Sequence, residues 1–135
     1  MKAFKILSIL TSLLYFYLFY TLLFNPQGLC ADFGLEGNEV VYFLAKRASM
    51  LMLGFGVLLL LGINLKEAKS RAVVAVSVAV CMLGFATMSG YEYFRGFVNA
   101  GILPAFVIEI ILGLAFLVLA VMNFTSQKQN PTRVL

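Results

Sequence analysis

Histidine and tryptophan are both absent from this 135-residue chain, and charged residues are scarce. Without histidine, the chain lacks the commonest general base and the commonest metal ligand. Charged residues make up 12% of the sequence and hydrophobic residues 62%. A soluble globular chain has about 25% charged and about 45–50% apolar residues. The composition therefore argues against an ordinary soluble domain and favours a protein embedded in a membrane.

Cysteine is also rare, since Cys30 and Cys81 are the only two and form no CxxC motif. A four-helix thiol oxidase would need pairs of cysteines at one face, so the sequence does not indicate an enzyme of that kind. Cys81 is expected to lie about 14 Å deep in a helix, and Cys30 falls in a loop. Because a disulfide requires Cα atoms within about 7 Å, we predict no bridge between them. Pairing of Cys30 with a second chain stays open.

Long apolar segments fill most of the sequence. A bilayer core is about 30 Å thick and is crossed by about 20 apolar helical residues. We therefore predict an all-α fold, an integral membrane four-helix bundle that forms one domain over residues 1–135. The first segment is longer than the apolar part of a secretion signal, about 7–15 residues, so we expect it to be retained. The predicted spans are 6–24, 40–65, 72–91 and 102–123.

The distribution of lysine and arginine predicts the orientation of the bundle, because cytoplasmic segments are enriched in both. The richer end carries Lys2, Lys5, Lys66, Lys69, Arg71, Lys128 and Arg133. The other end carries Lys46, Arg47 and Arg95 together with Asp32, Glu36, Glu39 and Glu92. We expect both termini in the cytoplasm. This topology explains the net charge of +4 without nucleic-acid binding.

The fourth apolar segment contains a carboxylate, Glu109. An ionisable group at membrane depth is costly and is a functional-site candidate by default. Arg47 and Glu109 each lie seven residues into a span, about 10 Å below the outer surface, and both spans run inward. The planar guanidinium of an arginine can bind a carboxylate through two hydrogen bonds. We therefore predict an intramembrane ion pair between Arg47 and Glu109.

Around this pair we predict an outward-facing polar pocket that binds a ligand. Its predicted lining residues are Arg47, Glu109, Glu92, Arg95, Tyr42 and Tyr91. The alternative is an ion pair that only locks two helices together. We predict no catalytic residue, no metal ligand and no cofactor. In the inner halves of the spans, Ser77 stands out as the main polar residue, which argues against a polar track through the bundle.

Small residues predict how the helices pack. Ala75 and Ala79 are four residues apart, as are Ala86 and Gly90, and this spacing lets membrane helices approach closely. Gly54, Gly56 and Gly62 predict a close approach on the second span as well. The segment after Asn25-Pro26 has little apolar surface of its own, and we expect it to lie over the mouth of the bundle.

Several short motifs resemble those of a known family. They are Asn25-Pro26 followed by Phe33-Gly34-Leu35, Arg47-Ala48 followed by Gly54-Phe55-Gly56, and Glu109 followed by Gly113. With these motifs the chain resembles, along its whole length, the small four-helix bacterial membrane proteins of the DUF4345 family. It departs from them where Met50, Leu51 and Met52 replace a Tyr-Gly-Gly element. The resemblance implies a four-helix bundle with an arginine and a glutamate in related places, and it implies no activity. It also implies a location in a bacterial inner membrane.

The sequence leaves three functions open. The first is a non-enzymatic membrane protein that binds a lipid-like or amphipathic small ligand, or that serves as an accessory subunit of a membrane complex. The second is a small oligomeric transporter or channel, and the third is a membrane enzyme of unrecognised mechanism. The expected partners are membrane lipids, an amphipathic ligand, and further copies of the chain or another membrane protein, but no nucleic acid.

Overall fold

The computed structural model describes residues 2–128 of the chain, and within this part no strand occurs. Four of its helices are long and apolar enough to cross a membrane, so the predicted all-α architecture is confirmed. They correspond to the four predicted spans. Arg133, which we assigned to the cytoplasmic end, lies outside the described residues. The elements are α1 (Lys2–Phe24), α2 (Pro26–Asp32), α3 (Glu39–Gly62), α4 (Ala68–Phe94), a 3-10 turn (Ala100–Ile102) and α5 (Leu103–Lys128).

Asparagine side chains start two of the helices. Asn25 Oδ1 accepts a hydrogen bond from the Gly28 backbone N–H at 3.1 Å, at the start of α2. Asn38 Oδ1 accepts one from the Val41 N–H at 3.0 Å, at the start of α3. Both satisfy backbone donors that the helix itself leaves unpaired. These caps fix the point at which the chain turns back toward the bundle.

The long helices pack as two pairs, α1 with α3 and α4 with α5. Short connections make the neighbours in such a bundle antiparallel. Between the pairs lies a common core that includes Tyr15, Leu59, Met82 and Phe116. We call the end with the start of α1 and the 63–67 connection the basic end, and the opposite one the α2 end.

Glycines bring the helices of each pair close together. On the second span this was predicted for Gly54, Gly56 and Gly62, and the structure shows it for Gly56. Nothing lies within 4 Å of a Cβ added at Gly54, and one added at Gly62 would meet only Leu65 in the connection after α3.

Gly56 on α3 accepts a hydrogen bond from Ser12 Oγ of α1 at 2.7 Å through its carbonyl oxygen. In the other pair, Gly113 of α5 packs against Leu83 of α4. A side chain at either glycine would meet the opposing helix, so the contact distance depends on its absence.

Gly113→Ala is expected to lower the free energy of unfolding by about 1–2 kcal/mol, because overpacking a core costs about 1–3 kcal/mol. An added Cβ would lie 2.7 Å from Leu83 Cγ and 3.3 Å from the Leu83 backbone nitrogen. Gly84→Ala is the control, since nothing lies within 4 Å of its added Cβ. There, alanine should stabilise the helix by about 0.5–1 kcal/mol. Unfolding in mixed micelles with increasing SDS measures both. If the two substitutions changed the free energy of unfolding equally, this would contradict the close packing of Gly113 against Leu83.

Arg71 is buried at the basic end and is only 8% exposed. Its Nε donates to Asn123 Oδ1 of α5 at 3.2 Å. One terminal nitrogen donates to the carbonyl oxygens of Leu65 at 3.1 Å and Lys66 at 2.6 Å. In the sequence, Arg71 was one of several charges marking the cytoplasmic end. In the structure it joins α4, α5 and the connection between α3 and α4.

Candidate functional site

A pocket of about 470 Å³ lies between α1, α4 and α5 near the α2 end. Its volume is within the range of about 300–1,000 Å³ that is usual for small-molecule sites. The lining is mostly apolar, and its polar residues are Tyr17, Asp32 and Glu109. The lining residues are Leu14, Tyr17, Leu18, Leu29, Asp32, Phe33, Met82, Phe85, Gly101, Pro104, Ala105, Ile108 and Glu109.

The short helix α2 forms the roof of this pocket through Leu29, Asp32 and the following Phe33. The backbone N–H of Asn99 donates to the Phe33 carbonyl oxygen at 2.9 Å, which ties the roof to the chain before α5. Gly101 approaches the Asp32 carbonyl oxygen so closely that a side chain there would not fit. The expectation that this segment lies over the mouth of the bundle is confirmed, although its helix was not predicted.

Glu109 is half-buried on α5 and accepts a hydrogen bond from Ser89 Oγ of α4 at 3.1 Å. Ser89 therefore positions the carboxylate across the α4–α5 interface. The other carboxylate oxygen remains available to a ligand, since the hydrogen bond from Ser89 goes to Oε2. Glu109 thus gives the mostly apolar pocket an acidic group that a hydrogen bond holds in place.

The predicted ion pair between Arg47 and Glu109 is not formed, and this prediction is wrong. Arg47 is exposed on α3, and its guanidinium carbon lies 5.9 Å from the centroid of the Phe43 ring on the same helix. Among the described residues, the salt bridge present is that of Arg95 with Glu92, at 2.9 Å. Counting residues along each span predicted that the Arg47 and Glu109 side chains lie at one depth. It did not predict the direction in which each side chain points from its helix axis. In the structure α3 packs against α1, and α5 against α4.

The other predicted site residues lie outside the pocket under α2. Glu92 and Arg95 pair with each other, and the Arg95 guanidinium lies 5.5 Å from the centroid of the Tyr91 ring. This cluster is at the end of α4, on the surface. Tyr42 lines a separate cavity of about 230 Å³ beside the start of α3. Of the six predicted lining residues, the structure places only Glu109 in the pocket under α2.

The buried face of α1 carries hydroxyl groups that the sequence analysis missed. Ser8, Thr11, Ser12 and Tyr15 are all fully buried. Ser12 donates to the Gly56 carbonyl oxygen, but the hydroxyls of Ser8, Thr11 and Tyr15 have no hydrogen-bond partner within the described part of the chain. A buried hydroxyl left without a partner costs about 1–3 kcal/mol. We call Ser8, Thr11 and Tyr15 the hydroxyl face.

Of the hydroxyl face, Tyr15 lies furthest along α1 toward the α2 end. Its ring stacks on that of Phe55 on α3, with centroids 5.6 Å apart. Cys81 and Cys30 are both free thiols, so the prediction that they form no bridge is confirmed.

Comparisons of the chain with protein-family models, with curated proteins and with solved structures find no match. The resemblance to the DUF4345 family stays a prediction. Fold and site together define a helical bundle with four helices able to span a membrane and an apolar pocket that holds a half-buried carboxylate.

Proposed function

We propose that this protein binds a cationic amphiphile in the pocket under α2. The proposal is supported by the charge of the residues that line this pocket. Its charged members, Glu109 and Asp32, are both acidic, and neither lysine nor arginine is among the lining residues. An ammonium head group forms strong charge-assisted hydrogen bonds with a carboxylate. The apolar wall suits an alkyl or aromatic body. The proposed ligand therefore has a cationic head group and an apolar body.

Glu109 is the group that receives the ligand head in this proposal. Asp32 is exposed on the roof, where water competes for its hydrogen bonds. Glu109 is half-buried and held by Ser89, so its interaction with a cation is less screened by solvent. A ligand then lies with its head against α5 and its apolar body against Leu14, Leu18 and Phe85.

We also propose a location and an orientation for the protein in the cell. With the basic end in the cytoplasm, as lysine and arginine favour, the pocket opens toward the outer leaflet of a bacterial inner membrane. The ligand would then enter from that leaflet or from the external solution. A reporter fused after the last residue that is active only outside the cell would contradict this orientation.

The ligand class can be tested with a single tryptophan, because the chain contains none. Phe85 lines the pocket, and Phe85→Trp places an indole there. We expect a brominated alkylamine to quench this fluorescence saturably, at a concentration at least tenfold lower than the brominated fatty acid of equal length. The alkylamine and the fatty acid carry the same bromine quencher and nearly the same apolar chain, and they differ in the head group. The difference between the two quenching concentrations therefore measures how strongly the protein distinguishes the two head groups.

The matched control is Phe94→Trp, since Phe94 is on the same helix, 88% exposed and outside the pocket. There both compounds should quench alike, by partition into the micelle alone. Quenching of the Phe85→Trp protein that does not saturate would contradict a binding site. Equal affinity for amine and acid would contradict the cationic ligand.

A further inference from the structure

The cavity of about 230 Å³ beside the start of α3 shares no lining residue with the pocket under α2. It is smaller than the roughly 300–1,000 Å³ that is usual for a whole small molecule, and most of its lining residues are polar. It therefore suits a small polar group rather than an apolar ligand. We call it the side cavity, and it is lined by Phe24, Asn25, Pro26, Gln27, Glu39, Tyr42 and Lys46.

The charged and aromatic side chains of the side cavity come mainly from one face of α3. Glu39, Tyr42 and Lys46 are three and four residues apart, so they are neighbours on the helix surface. Gly37 approaches the Tyr42 ring so closely that a side chain there would not fit. The two amide side chains come from the junction between α1 and α2. The turn that leads from α1 to α3 therefore builds the cavity.

Both signs of charge line the side cavity without neutralising each other. Glu39 is the first residue of α3, and Lys46 lies seven residues further on, about 10 Å along the helix axis. They form no salt bridge with each other, since within residues 2–128 the salt bridge present is that of Glu92 with Arg95. A carboxylate and an ammonium group are therefore available to the opposite charges of a ligand.

Towards the basic end, the same faces of α1 and α3 continue as exposed, mostly apolar surface. Tyr20 lies one turn deeper than Phe24 on α1, and the centroids of the two rings are 5.1 Å apart. Met50 lies one turn deeper than Lys46 on α3. Tyr20 and Met50 are both exposed, so each offers contact area to an acyl chain. A head group in the side cavity would thus continue into an apolar chain that lies along the bundle.

We propose that the side cavity binds the head group of a phospholipid that carries a primary amine, a zwitterion of phosphate and ammonium. In such a lipid the phosphate lies between the acyl chains and the amine. Lys46 is deeper than Glu39, so the phosphate binds to Lys46 and the ammonium to Glu39, both through charge-assisted hydrogen bonds. The lysine side chain leans toward the start of its helix, which brings its charge closer to the level of Glu39.

The same two charges exclude other head groups. An anionic phospholipid without an amine leaves the Glu39 carboxylate close to a negative phosphate and without a partner. A quaternary amine is cationic but has no N–H group to donate to a carboxylate. This site is separate from the pocket under α2, so it does not depend on the ligand proposed there.

Brominated phospholipids test this inference, because bromine quenches a nearby tryptophan and the chain contains none of its own. Tyr20→Trp places an indole beside the proposed acyl chain. The protein is reconstituted in phosphatidylcholine bilayers that contain a rising fraction of lipid brominated on its acyl chains. We expect brominated phosphatidylethanolamine to reach half-maximal quenching at a mole fraction at least about fivefold lower than brominated phosphatidylglycerol or phosphatidylcholine, since hydrogen bonds to a charged group differ by this much in affinity or more.

Glu39→Gln should abolish the preference for phosphatidylethanolamine, because it removes the partner of the amine. Lys46→Met should weaken binding as well, because the phosphate loses its partner. The matched control is Glu36→Gln, the same substitution at an exposed acid outside the side cavity, which should leave the preference unchanged. Val107→Trp is the control for the reporter, since Val107 is exposed and, like Tyr20, four residues from the end of its helix at the α2 end. There the three lipids should quench alike.

Equal quenching of the Tyr20→Trp protein by the three lipids would overturn the proposal, and so would a preference for phosphatidylglycerol. A preference for phosphatidylethanolamine that survives Glu39→Gln would also overturn it. Met50→Trp provides a second reporter if the Tyr20→Trp protein elutes as an aggregate on gel filtration. Soluble phosphoethanolamine carries the same charges without acyl chains, and we expect it to leave the quenching unchanged. If it restored the fluorescence, the side cavity would belong to a free solute and not to a lipid.

Discussion

Glu109→Gln in the Phe85→Trp protein is expected to weaken alkylamine binding by about ten- to hundredfold. Hydrogen bonds to charged groups contribute about 1.5–3 kcal/mol, and each factor of ten in affinity corresponds to about 1.4 kcal/mol. Glutamine keeps the size of the side chain and can still accept the hydrogen bond from Ser89. The substitution therefore removes the charge and little else. Titration of tryptophan quenching measures the loss.

Two controls make this result specific. Glu92→Gln removes a charge from a half-buried acid on α4 that pairs with Arg95 and does not line the pocket, so it should leave affinity unchanged. A brominated alcohol of the same chain length should lose much less affinity than the amine in the Glu109→Gln protein. If the amine binds equally well before and after the substitution, Glu109 does not receive the head group.

The long helices of this fold could be predicted from the sequence, because the thickness of a membrane and the hydropathy of the segments together determine where they occur. Four apolar segments of the right length mark α1, α3, α4 and α5, and Asn25-Pro26 marks the end of α1. The pairing of the helices could not be predicted in the same way. Small residues occur on several faces, and spacing alone does not identify the face that each partner takes. The roof helix α2 has seven residues, too few for a periodic signal.

The candidate site was partly predictable. Glu109 was found because a carboxylate within an apolar segment is conspicuous, and the structure places it in the pocket wall. Arg47 was assigned to it wrongly because rise per residue gives depth but not rotation about the helix axis. An exposed arginine near a helix end can reach the interface and needs no buried partner.

The hydroxyl face was missed for a different reason. Serine and threonine change the mean hydropathy of an apolar segment very little, so α1 reads as uniformly apolar. The informative signal was their position, since Ser8, Thr11, Ser12 and Tyr15 recur at the spacing of one helix face. The polar residue that did stand out, Ser77, is exposed and bonds to its own helix at Val73. Spacing was thus a better guide than composition.

Arg71→Met is expected to lower the free energy of unfolding by about 2–4 kcal/mol, the largest stability effect that the fold predicts. Hydrogen bonds from a charged donor contribute about 1.5–3 kcal/mol each, and Arg71 makes them to Asn123, Leu65 and Lys66. They are not additive, because the carbonyl groups of the 63–67 connection can turn toward water once the arginine is gone. Methionine fills much of the same volume, so the loss reports the polar contacts rather than a cavity.

The control for Arg71→Met is Lys69→Met, which removes a positive charge from an exposed position two residues earlier and should change stability by less than about 0.5 kcal/mol. Asn123→Leu should fall between the two, since it removes one of the arginine's partners and leaves both carbonyl contacts. Unfolding in SDS-containing micelles, followed by circular dichroism, gives the three values. An Arg71→Met protein as stable as Lys69→Met would mean that the guanidinium does not hold α4, α5 and the 63–67 connection together. Arg71 would then be one more positive charge at the basic end.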